Sequence, residues 1–278
     1  MTPAQWQTIR VTPSADGTRD AVAAAMFTGG AEGLMEDGAS FVTHVPGDHD
    51  LQHFRSEVSG ADAAAEVVVT PLDPAVAEPE LHGTVQAHDL GRFVIAPPWL
   101  AGDYDADRVI IVEPGMAFGT GEHATTRGVL RLLPQVLRAG DVVADLGAGS
   151  AVLAIAAAKG GASKVIAIEL DEDAMSNAEE NLERNGVTDR VHLLCGDASV
   201  LLPFFAPVRV VLANIISSVH VEMLPVVATC LGADGVVIIS GILQSERDAM
   251  LRHVESTGWR MLADDSEGEW WSATIVRA

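Results

Sequence analysis

The stretch from Asp141 to Asp171, DVVADLGAGSAVLAIAAAKGGASKVIAIELD, constrains the fold of this chain more than any other. Val142 to Asp145 is a short apolar run of the kind a buried parallel strand needs, and Gly147 and Gly149 let the backbone turn sharply without a Cβ clash. Ser150 is placed to cap an alanine-rich helix running to about Lys159. Lys164 to Ile168 supplies a second apolar strand, and Glu169 stands at its carboxyl end, the rim where open α/β sheets bind ligands. A carboxylate there can accept both hydroxyls of a ribose. The spacing from glycine turn to acid, about 20 residues, is the nucleoside-binding arrangement of doubly wound folds.

The surroundings of the glycines bear on which nucleoside. A dinucleotide site places a pyrophosphate on the helix N-terminus and usually reads GxGxxG or GxGxxA; here Gly147 to Val152 reads GAGSAV, with Asp145 two residues ahead. An acid beside the turn repels a phosphate and suits a ligand with a cationic amino-acid tail. S-adenosylmethionine carries an ammonium, a sulfonium and a ribose, and is the favoured reading. NAD or another nucleotide, and a purely structural βαβ unit, are the alternatives.

The 278 residues suit two domains, and with 48% hydrophobic residues a sizeable core is expected. The net charge is −22, from 39 acids against 17 bases, and the only lysines are Lys159 and Lys164. Such a surface argues against binding a nucleic-acid backbone and would attract a basic protein partner; a solvated acidic surface explains the charge equally well. Cys195 and Cys230 lack CxxC spacing and are expected to be buried free thiols. No signal-peptide pattern opens the chain and no apolar run approaches 18 residues, so a cytoplasmic protein without membrane contact is expected.

Residues 1–70 read as strand (WQTIRVT), helix (Thr18 to Phe27), hairpin (Gly33 to Val45), helix (Asp50 to Val58) and strand (Ala65 to Thr70), the split βαβ order. Residues 71–107, rich in proline and glycine, read as a linker. From Arg108, long apolar strands alternate with helices, which argues for a mainly parallel sheet of seven strands with a closing hairpin. Four strand ends are expected to converge on one crevice: after Val112, at Gly147, at Glu169 and at Asn214. Asn214 directly follows a buried strand, where its amide oxygen could accept a hydrogen bond from the ligand or from an amine to be methylated, or could cap the loop. Gly196 and Asp197 could meet an adenine amino group, although Gly-Asp is also ordinary turn chemistry.

The loop from Phe118 to Thr126 is the second unusual stretch. Thr125 and Thr126 open a helix and present hydroxyls and free amides, and Phe118 could shield a methyl donor from water. No second His or Cys stands at ligand spacing from His123, so a loop-stabilising hydrogen bond is expected of it rather than a metal.

EPGMAFGTGEHATT, DLGAGSAVLAIAAAKGGA, IELDEDAMSNAEENLERNGV, LANI, ISGIL and the terminal EGEW resemble the ribosomal protein L11 methyltransferase family. FTGGAEGLMEDG is similar to that family's small ferredoxin-like domain, which recruits the substrate protein. The resemblance implies an α/β class I methyltransferase sheet preceded by a small α+β ferredoxin-like domain. It further implies transfer of methyl groups from S-adenosylmethionine to lysine or N-terminal amines of a basic ribosomal protein. A monomer is expected, and the acidic charge argues against direct nucleic-acid contact. The implied cofactor site comprises Thr126, Gly147, Glu169 and Asn214, with Phe118 and Thr125 close by. The reading of the residues adds Gly149 and Asp197 as cofactor-binding candidates and Asn214 as the catalytic candidate, and expects no metal. A methyltransferase of the same fold with another protein or small-molecule acceptor, and a non-catalytic S-adenosylmethionine-binding protein, are the competing readings. Ala151 stands where the family commonly has glycine, and one methyl group is expected to be tolerated at the start of a helix.

Overall fold

The computed structural model of the protein describes residues 6–31, 34–47, 49–71, 85–113 and 123–278. The chain divides into two compact units, Met1–Thr84 and Val85–Ala278. In the first, β1 (Trp6–Thr12), α1 (Arg19–Thr28), β2 (Met35–Asp37), β3 (Ser40–Pro46), α2 (Leu51–Ala61) and β4 (Glu66–Pro71) form an antiparallel sheet in the order β2-β3-β1-β4. Alternation on β1 turns Ile9 and Val11 inward, where Val22 and Met26 of α1 and Phe54 and Val58 of α2 complete the core. The Asp50 side chain accepts from the Gln52 and His53 amides and fixes the start of α2.

The second unit opens with a small sheet of β5 (His88–Asp89), β6 (Val94–Ala96) and β7 (Val109–Ile111), β6 and β7 being parallel. Two expectations change here. Residues 85–107, read above as part of a linker, belong to this unit, because Phe93 and Ile95 are buried in the same cluster as Ile110 and Leu133. The strand before Val112 does not join the main sheet: it pairs with β6, and the Asn185 side chain takes both the amide and the carbonyl of Ile111.

The main sheet has seven strands in the order β10-β9-β8-β11-β12-β14-β13. They are β8 (Val142–Leu146), β9 (Lys164–Glu169), β10 (Val191–Cys195), β11 (Val208–Asn214), β12 (Leu231–Leu243), β13 (Trp259–Glu267) and β14 (Trp270–Arg277). Every neighbouring pair from β10 to β12 is parallel, and the β13–β14 hairpin closes the sheet. The helices are α3 (Ala124–Val136), α4 (Val152–Lys159), α5 (Glu172–Arg184), α6 (Ser217–Cys230) and α7 (Arg247–Ser256). Successive residues of β8 and β11 alternate between two cores: Val143, Val210 and Leu212 lie with α3, α4 and α5, while Ala144, Leu146, Val211 and Ala213 lie with α6 and α7. The strand order reverses between β8 and β11, so their carboxyl ends open onto the crevice where such sheets bind ligands. No helix among the described residues is long and apolar enough to cross a membrane.

Cys230 is buried, but Cys195 is exposed; it ends β10, the outermost strand, where only Val191 is fully covered.

Candidate functional site

The turn after β8 is shaped by three left-handed residues, Gly147 (φ 73°), Gly149 (φ 51°) and Ala151 (φ 63°). A Cβ on Gly147 would lie 2.8 Å from the Ile215 side chain, so the position requires glycine for space as well as for conformation. The helix begins one residue later than the sequence suggests, with Ser150 ahead of the cap position. The cap position of α4 is Ala151, without a side-chain cap bond, and its methyl is tolerated only in a conformation L-residues rarely adopt.

Glu169 closes the turn from β9. Its Oε2 accepts from the Gly149 amide at 2.7 Å, and its Oε1 accepts from the Leu170 and Asp171 amides at 2.8 and 2.9 Å. Beside it is a cavity of about 390 Å³ with walls that include Leu146, Ile168, Ile215, Val219 and Met223 and a rim of Gly147, Glu169, Gly196 and Asp197. Leu170 and Ile216 flank its mouth and are largely exposed. Asp197 Oδ1 accepts from the Ser199 amide at 2.7 Å, which caps the short turn Ala198–Leu201, and the Ser199 hydroxyl together with that amide holds the carboxyl below its usual range. The turn-forming alternative for Asp197 is therefore realised at the cavity's edge.

Asp145 lies one residue before the end of β8, fully buried, with neither carboxyl oxygen hydrogen-bonded. Burial pushes its pKa up to about 8. The Ala154 amide opposes this without closing a hydrogen bond of ordinary geometry, and the Glu169 charge adds to it. A buried carboxyl with no partner is costly unless protonated or met by a cation.

Across the crevice, Asn214 is half-buried at the end of β11, and its Nδ2 approaches Thr126 Oγ1 at 3.5 Å. Thr125 and Thr126 are buried in the first turn of α3. His123 caps that helix: its Nδ1 is 2.7 Å from Thr125 Oγ1, and its ring packs edge-on to Trp270. Burial, reinforced by Arg127, lowers its pKa, so it acts as an acceptor that steadies the helix start. Arg127 and Arg131 pair with Glu267 and with Asp265 and Glu267, tying α3 to the closing hairpin. Gly147, Glu169 and Asp197 thus share the cavity, Gly149 hydrogen-bonds to Glu169, and Thr125, Thr126 and Asn214 form a second group; Phe118 lies outside the described residues.

One further connection reaches the turn from α5. Asn181, fully buried, donates to the Ser150 carbonyl at 3.1 Å and accepts from the Glu113 amide at 3.0 Å, and thereby joins the glycine turn to the end of the β7 segment. The available signal is its place on the buried stripe Ala174-Ala178-Asn181-Leu182, where an amide needs partners.

Comparison with known proteins gives a consistent result. The family description "Ribosomal protein L11 methyltransferase (PrmA)" matches residues 86–278. A ribosomal protein L11 methyltransferase of Thermus thermophilus is 35% identical over 252 residues, covering 90% of this chain and 92% of that protein. One from Pelotomaculum thermopropionicum is 41% identical over 182 residues, 64% of this chain and 58% of that protein. The crystal structure of a ribosomal protein L11 methylase from Lactobacillus delbrueckii superposes with a TM-score of 0.61 at 30% identity, covering 69% of this chain and 99% of that one.

Proposed function

Because the chain belongs to the ribosomal protein L11 methyltransferase family, we propose that it transfers methyl groups from S-adenosylmethionine to lysine or N-terminal amines of ribosomal protein L11. The observation that carries this reading is the apolar cavity at the reversal of strand order, lined in part by Glu169, with the buried carboxyl of Asp145 one residue before its Leu146 wall. Those features fit the cofactor: apolar walls for adenine, Glu169 for the ribose hydroxyls, and Asp145 for an ammonium. Asp197 at the rim is the candidate partner of the adenine amino group.

The cofactor supplies an electrophilic methyl on a sulfonium. The protein's task is then to align a neutral acceptor amine in line with that methyl and to exclude water. Asn214 holds the amine through its side-chain oxygen, Thr125 and Thr126 support it, and Phe118 is the candidate shield of the methyl donor. An α-amine, near pKa 8, is partly neutral at cytoplasmic pH, whereas a lysine, near 10.4, must first lose its proton. His123 is an unsuitable base, since burial lowers its pKa and its Nδ1 is engaged with Thr125, so solvent takes the proton. Residues 1–70, in the N-terminal unit, would recruit the substrate.

The test is methyl transfer from labelled S-adenosylmethionine to purified L11, read by mass spectrometry. Methylated lysines or N-terminus are expected. Intact cofactor binding with no transfer would overturn the substrate assignment.

A further inference from the structure

Beneath the Asn214 group lies a buried residue that nothing above uses. Ser240 is fully buried on β12, directly opposite Asn214 in the parallel register. Its hydroxyl donates to the Thr125 carbonyl at 3.0 Å and meets Ser272 Oγ at 2.7 Å. Its carbonyl accepts from the Ile215 amide at 3.2 Å and from His220 Nε2 at 2.8 Å. One residue therefore holds the first turn of α3 on one side and the chain just after Asn214 on the other.

The backbone is modified to permit this. The β12–β14 register shifts between Ile239 and Ile242, and Gly241 is left-handed at φ 80°. A Cβ on Gly241 would come 2.5 Å from the Ile215 carbonyl oxygen, so the bulge lets the Asn214–Ile216 segment lie directly against β12. His220, buried in the first turn of α6, completes the clamp from the opposite face of the sheet.

We propose that Ser240, with His220, is a positioning residue of methyl transfer, setting the distance between Asn214 and the Thr125–Thr126 turn. The inference rests on the roles given above to those residues. Ser240 and His220 do not line the cofactor cavity, and Ser240→Ala keeps the main-chain carbonyl that holds the cavity residue Ile215, so the loss of the hydroxyl should act on turnover more than on cofactor affinity.

The experiment measures kcat with saturating L11, the Kd of S-adenosylmethionine by calorimetry, and the melting temperature, for Ser240→Ala, His220→Gln and His220→Leu. Misplacement by about 1 Å can cost on the order of 100-fold, so Ser240→Ala should lower kcat at least tenfold (about one decade) while Kd moves less than about threefold. His220→Gln, which keeps an N–H donor, should retain most of kcat, and His220→Leu should lose it as Ser240→Ala does. Unchanged kcat in folded Ser240→Ala, or Kd rising in proportion to the loss of kcat, overturns the proposal. If Ser240→Ala does not fold, the His220 pair decides by the same criteria. Inactivity of the wild-type protein on L11 would instead defeat the reading on which this one rests.

Discussion

At the glycine turn, backbone amides do the holding; at Asn214, side chains do. Glu169 gathers the amides of Gly149, Leu170 and Asp171, and the Gly147 and Ala148 amides bond to the Ile168 carbonyl. Across the crevice, the Asn214 side chain meets Thr126 Oγ1, and the buried Ser240 joins the Thr125 carbonyl and Ser272 Oγ through its hydroxyl and His220 through its carbonyl. A backbone-held site requires only a few residue types at fixed spacing. A side-chain-held one depends on pairs distant in sequence, such as Ser240 with Thr125.

Each half also contains a buried titratable group, and the two respond oppositely to pH. The pKa of Asp145 is raised from 3.8 to about 8, so the folded state keeps a proton that the unfolded chain has lost. The resulting stabilisation is full below pH 3.8 and is lost as pH rises towards 8, on the order of 5 kcal/mol in all. Urea unfolding from pH 5 to 8 should show that decline in the wild-type protein and a much smaller one in Asp145→Asn; parallel curves would remove the buried carboxyl from the account. The pKa of His220 is lowered by burial from 6.5 to about 4, so its contribution is full above pH 6.5 and is lost as pH falls towards 4, about 3 kcal/mol. His220→Gln should be less sensitive than wild type across that interval, and the same acid sensitivity in both would contradict the assignment.

Glu169→Ala addresses the backbone-held half directly. Loss of charge-assisted hydrogen bonds to the ribose should weaken S-adenosylmethionine binding by roughly 2 to 3 kcal/mol, and unchanged affinity by calorimetry would sink the ribose role. The smallest effect is expected at Ala151. Ala151→Gly relieves the left-handed conformation but increases the freedom of the unfolded chain, so stability should change by less than about 1 kcal/mol. A loss well beyond that in thermal unfolding would mean that the Ala151 methyl, more than the backbone, holds the turn.

The same contrast explains what could be read from the sequence. The βαββαβ order of the first unit, the glycine turn and the acid at the end of β9 all follow from local patterns. The segment before Val112 was assigned to the main sheet because a short apolar run does not reveal its partner, and here Phe93–Ala96 and Asn185 supply the pairing. Cys195 sits in an apolar run, yet it ends an edge strand and is exposed. Helix α6 continues through Pro225, which removes one donor opposite the carbonyl of the exposed Val221. Ser240 gave no signal, since a serine in an apolar strand acquires meaning only from the chain packed on both its sides.

The most direct test of the account is a crystal structure with S-adenosylhomocysteine bound. The account predicts the adenine within the cavity lined by Leu146, Ile168, Ile215 and Met223, the ribose hydroxyls on Glu169, and the amino-acid tail over the Gly147–Gly149 turn towards Asp145. A nucleoside bound elsewhere, with Glu169 still holding only the turn amides, would contradict it.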